Sequence, residues 1–197
     1  MKAHSRPKVA LIVLLCGVLL ATGCSPNWIG VALADLPVLT QMALNIGNVI
    51  TSLQAGQQLS PAEAAAIQNI STQASKDLNL LQALYNEYQQ NPNAGTIQKI
   101  QDAITDLNQN LPALLQASHI SNAALSAKIA AAVNLILATV NSVALLMPKT
   151  SMQAPVQVKQ AALPHAGDLR KQWNQQICAP SGDAAVDSGL AACAVGR

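Results

Sequence analysis

Phenylalanine is absent from this 197-residue chain, and two Trp and two Tyr are its only other aromatic side chains. Single-stranded nucleic-acid binders need rings on which bases stack, so the composition argues against a nucleic-acid partner. Charge is also scarce, with 11 basic and 9 acidic residues leaving a formal +2. The short motifs that announce chemistry are missing too. There is no H-E-x-x-H, C-x-x-C-H or Asp-rich calcium loop, and neither a G-x-S-x-G elbow nor a phosphate-binding G-x-x-x-x-G-K-[ST] loop. His119 and His165 fall on expected loops far apart in sequence. Asp102 and Asp106 form an i, i+4 pair that reads as a solvated helix surface, as do Lys76 and Asp77. No catalytic residue, metal or cofactor is expected, and the chain reads as non-enzymatic.

What is abundant points to helices. Ala supplies 35 residues and Gln plus Asn 33. Ala and Gln favour helix, whereas sheets lean on β-branched and aromatic residues.

The amino terminus carries the clearest address. Lys2, Arg6 and Lys8 precede an unbroken apolar run, Val9 to Leu20, followed by the small residues Ala21, Thr22 and Gly23. A basic start, a short apolar core and a small-residue exit make a secretory signal peptide over 1–23, too short for a membrane span. The end of this segment, Leu19-Leu20-Ala21-Thr22-Gly23-Cys24, resembles the lipobox of bacterial lipoproteins. That resemblance implies cleavage between Gly23 and Cys24, diacylglycerol on the Cys24 sulfur and acylation of the new amino terminus. Ala21 stands where the family more often has Leu. Ser25, rather than Asp, after the cysteine implies export to the periplasmic face of the outer membrane in a host that has one. More than one acyl chain is needed for firm anchoring, because a single chain binds marginally. Loss of Lys2, Arg6 and Lys8 with the leader takes the formal charge from +2 to −1, so the basic balance implies nothing about anionic partners.

With Cys16 in the leader and Cys24 taken by lipid, Cys178 and Cys193 remain. An even pair in an exported chain reads as a structural disulfide. The alternative, a redox or metal pair, suffers from a spacing far from C-x-x-C and from the lack of an intervening His.

Four apolar stripes follow a tether over 24–35. Leu39, Met42, Ile46, Val49 and Leu53 step by alternating threes and fours, with Pro37 suited to the first turn. Ser60-Pro61-Ala62-Glu63 is a capping box that starts the second helix, striped by Ile67, Ile70, Ala74, Leu78, Leu81, Tyr85 and Tyr88. Ile97, Ile100, Ile104, Leu107, Leu111 and Leu114 mark the third, with a kink or restart expected at Pro112. Leu125, Ile129, Val133, Ile136, Val140, Val143 and Met147 mark the fourth, over 122–147. Asn45, Asn48, Asn134 and Asn141 lie in or beside these stripes and are expected to fix helix register. Two placements suit Trp28: at the membrane interface, or capping the core.

Short turns favour an all-α, up-down-up-down four-helix bundle over 36–147. A mostly irregular tail, 148–197, is expected to hold a short helix at Leu169–Ile177 capped by Asp168, and the disulfide. The chain as a whole also resembles a loose group of four-helix lipoproteins of soil bacteria, on its Ala-, Gln- and Asn-rich heptads. The expectation is a lipid-anchored envelope protein acting as a structural or protein-interaction module, with the membrane and an envelope protein as partners. Two alternatives stand: a bundle that encloses a small apolar or lipid-like ligand, and a fourth helix that enters the membrane. Oligomeric state is open.

Overall fold

The computed structural model describes residues 28–56, 59–148, 165–191 and 193–195. The leader, Gly23 and Cys24 lie outside the described residues. Every regular element within them is a helix: α1 (Trp28–Ala55), α2 (Pro61–Gln90), α3 (Ala94–Ala117), α4 (Ala123–Ala144), α5 (Ala166–Gln176) and α6 (Ala184–Leu190).

Local chemistry explains where these helices begin. The Ser60 hydroxyl accepts the Glu63 amide while a Glu63 carboxylate oxygen accepts the Ser60 amide, so the capping box forms in full. Asn93 accepts the Thr96 amide and Asn122 that of Leu125, each supplying an acceptor to an otherwise unpaired helix-start N–H. Asp183 does the same for α6 through the amides of Ala185 and Val186.

The apolar stripes then set the packing. Every residue of the first and fourth stripes is buried, as are the second through Tyr85 and the third through Leu111; Tyr88 and Leu114 are half-buried. Helix α1 packs on α2, α4, α5 and α6, while α3 joins α2 to α4. The α1–α2 contact is the most extensive, and small residues let it close. There the Ser71 hydroxyl donates to the Ala43 carbonyl at 2.7 Å, and a Cβ on Gly47 would lie 3.1 Å from that hydroxyl oxygen. Helices α1 and α4 are each long and apolar enough to cross a membrane, and each contributes its stripe to the shared core.

Several expectations are corrected. Helix α1 starts at Trp28, so the stretch assigned to a tether is helical from that residue onward, and Pro37 sits inside the helix. Proline there removes the donor to the Leu33 carbonyl, but Pro37 is exposed, on the side where water can replace it. Helix α3 likewise runs through Pro112 without a restart. In the tail, 149–164 lie outside the described residues; the short helix expected at 169–177 is α5, which begins at Ala166 with His165 rather than Asp168 as its cap position, and a second helix, α6, follows. Asp77 is buried, with both carboxylate oxygens accepting from Gln73 at 2.8 and 3.0 Å. Asn48, Asn134 and Asn141 are exposed.

The tail is fastened to α1 by polar bonds in an apolar setting. Cys178 is bonded to Cys193, their Cα atoms 5.6 Å apart. The Cys193 carbonyl accepts from both the Asn45 side-chain amide and the Trp173 indole N–H, each at 3.0 Å and each buried. Trp173 is fully enclosed, and Leu53 of α1 lies so near Gly189 of α6 that a Cβ there would approach to 2.5 Å. Lys128 donates to the carbonyls of Gln176 and Ala179, placing a cation at the carbonyl end of α5.

Candidate functional site

Helix α1 carries a single charged side chain, Asp35, which is also the only charge between Lys8 and Glu63 in the sequence. It is 2% exposed. Around it lie Ala32, Leu36 and Leu39 of its own helix, Leu81 and Tyr85 of α2, and Val140 and Val143 of α4, lining a cavity of about 10 Å3. Asp35 Oδ2 and the Tyr85 hydroxyl are buried and have no hydrogen-bond partner in the protein. A space of this size suits about one water molecule, the kind of guest that serves orphaned buried polar groups.

Electrostatics follow from burial. The surrounding apolar wall disfavours the charged carboxylate and pushes the Asp35 pKa up to about 6, with the His165 charge at the start of α5 pulling the other way. Burial raises the Tyr85 phenol as well. Asp35 is therefore a group that changes charge near neutral pH inside the helical core. A cavity of about 10 Å3 admits neither an acyl chain nor an organic substrate of ordinary size.

The aromatic residues gather beside this acid. Trp28 meets Tyr85 edge-on with ring centroids 5.6 Å apart, and Tyr88 at a tilt, also at 5.6 Å. Of the two placements open to Trp28, the structure has it 6% exposed and capping the core.

At the other end of α2, Glu63 ties the capping box to the α3–α4 turn, where the Ser121 amide and hydroxyl donate to it at 2.8 and 2.6 Å. Those bonds, with the ones from Ser60, hold the Glu63 pKa down at about 2. His119, in the same turn, takes a left-handed backbone with φ 45°. Asn122 also donates to Asp183 at 2.8 Å, and Asn108 and Asn141 exchange a reciprocal pair of 2.9 Å bonds across α3 and α4.

The remaining residues singled out from sequence disperse. Asp102 and Asp106 are both exposed, and Asp102 accepts from Gln98. Among the described residues, no three His, Cys, Asp or Glu side chains gather so as to hold a metal ion. Sequence reasoning missed Asp35 and placed Tyr85 in a stripe without noticing the acid opposite it. No family model, curated protein or solved structure matches the chain.

Proposed function

We propose that this is a lipid-anchored cell-envelope lipoprotein whose helical domain serves as a structural or protein-interaction module. The observation that carries the reading is the leader ending in Leu19-Leu20-Ala21-Thr22-Gly23-Cys24, with Trp28, the first residue of α1 as described, four positions after the cysteine. Its location is the periplasmic face of the outer membrane in a diderm host.

The helices α1 to α4 form an up-down-up-down bundle in this account. Three sets of contacts support it. Asp35, near the start of α1, shares a cavity with Tyr85 near the end of α2 and Val143 near the end of α4. Glu63, near the start of α2, reaches the turn between α3 and α4. Leu53, near the end of α1, approaches Gly189, just beyond the Asp183 that Asn122 holds at the start of α4.

Recognition belongs to the surface in this reading. The space around Asp35 is too small for a lipid-like guest, so the enclosed-ligand alternative gains nothing from it. Outward faces rich in Gln and Asn offer hydrogen bonds to a protein partner instead. Cross-linking in intact membranes, with quantitative recovery of this protein, is expected to yield a reproducible envelope-protein partner. Recovery of background proteins alone contradicts the interaction role.

A further inference from the structure

The two ends of the helical domain differ in chemistry, and only one lies near Cys24. We propose that the end formed by the start of α1 and the ends of α2 and α4 rests on the lipid bilayer that holds the anchor, with Leu145 entering its interface. This rests on the lipoprotein reading given above.

Distance comes first. Trp28 is the fourth residue after Cys24, and a chain spans at most ~3.6 Å per residue. The Trp28 Cα therefore lies within about 14 Å of the Cα of Cys24, whose sulfur would carry the acyl chains. Trp28 packs on Tyr85 and Tyr88 near the end of α2. Val140 and Val143 share the Asp35 cavity with Ala32, which puts the end of α4 at the same place. The anchor thus holds this end against the membrane, at a range where the end must either touch lipid or be held off by repulsion.

Its composition suits contact. No charged residue occurs in 28–34 or in 129–148. Asp35 is buried beneath this end with the His165 charge acting on it, Lys149 follows directly on Pro148, and Glu87 and Lys99 pair at 3.2 Å. Around them stand uncharged amides, the exposed Gln89, Gln90, Asn91 and Asn93. Leu145, just past the end of α4, is 71% exposed, more so than Leu44 at 47% or Leu80 at 50%. The opposite end carries Glu63, Lys128, Asp183 and Asp187 in hydrogen-bonded networks. Moving charges into a lipid interface is costly, while an exposed leucine gains from it.

The test uses the full chain, purified from membranes with its lipid and returned to phosphatidylcholine vesicles brominated in their acyl chains. Leu145→Trp places a probe at the proposed contact, and Ala62→Trp places one at the exposed start of α2. Each is compared with the wild type, which supplies the background of Trp28 and Trp173. Bromolipid is expected to remove about half or more of the fluorescence added by Leu145→Trp, a depth typical of interfacial insertion, and to leave that of Ala62→Trp unchanged. Equal quenching of both probes, or none at Leu145→Trp on protein that remains vesicle-bound, overturns the orientation while leaving the anchor intact. A Cys24→Ala form without the leader that still partitions with vesicles shows instead that the anchor reading is wrong, and the orientation falls with it.

Discussion

Replacing Asp35 by Asn tests the physics of the buried end most sharply. The carboxyl titrates at about 6 in the folded chain against an ordinary 3.8. At about 1.4 kcal/mol for each pH unit, the ionised form costs the fold about 3 kcal/mol well above pH 6. The sign follows from proton affinity. The folded state binds this proton more tightly than the unfolded state, so the penalty shrinks as pH falls through 6 and has nearly gone below 4. The group is 2% exposed but borders a cavity with room for about one water, so about 3 kcal/mol is the upper bound. Asn keeps the shape and has no charge to lose. Asp35→Asn is therefore expected to melt higher than wild type at about pH 8, by up to roughly 6–12 °C at 2–4 °C per kcal/mol, and almost with it at about pH 4. Thermal unfolding followed by circular dichroism at both pH values reads the difference, with other titrating groups common to the two proteins. An offset that is the same at both pH values, or absent at both, refutes the assignment of a buried, charge-destabilised Asp35.

Other consequences are open to the same assay. Gly189→Ala drives a methyl group against the buried Leu53 and should destabilise by about 1–3 kcal/mol through overpacking; Gly167→Ala, where the added Cβ meets nothing within 4 Å, should be neutral or slightly stabilising. Glu63 titrates at about 2 against an ordinary 4.5, so its contribution is complete above 4.5 and is lost as pH falls toward 2. Discounted for solvent exposure, Glu63→Gln should cost about 1 kcal/mol at neutral pH and flatten acid unfolding in that window. Removing both Cys178 and Cys193 as serines should cost about 3 kcal/mol and shift Trp173 emission to the red as the tail loosens from α1; an unchanged melting curve and spectrum would show that the tail holds without its covalent link.

Much of the helical framework was legible because apolar spacing and caps agree. The second helix is the clearest case, its capping box and its stripe through Tyr85 both present as read. The first helix shows why legibility failed elsewhere. Running its 3–4 spacing backward from Leu39 lands on Asp35, Ala32 and Trp28, all buried. An acid at a core position breaks the apolar pattern, and Pro37 looks like a helix start because proline is free of cost only there. Together they hid two turns of helix and the buried carboxylate. Tertiary contact made the rest unreadable. Helix α6 has seven residues, too short to stand alone, and is held by Leu53 and by the Cys193 carbonyl that Asn45 and Trp173 share. The Asn108–Asn141 pair depends on the register between α3 and α4, which no local pattern specifies. Asp77 looked like surface because its own helix leaves it beside the stripe, and packing then buried it.

The lipid anchor is the centre of the account, and membrane fractionation of the full chain and of Cys24→Ala tests it most directly. The wild type is expected in the membrane fraction, with an amino terminus that begins at Cys24 and a mass increased by its acyl chains. The Cys24→Ala protein is expected to be released as a folded soluble domain. Retention in the membrane of Cys24→Ala protein whose leader has been removed would contradict the account and assign the attachment to α1 or α4.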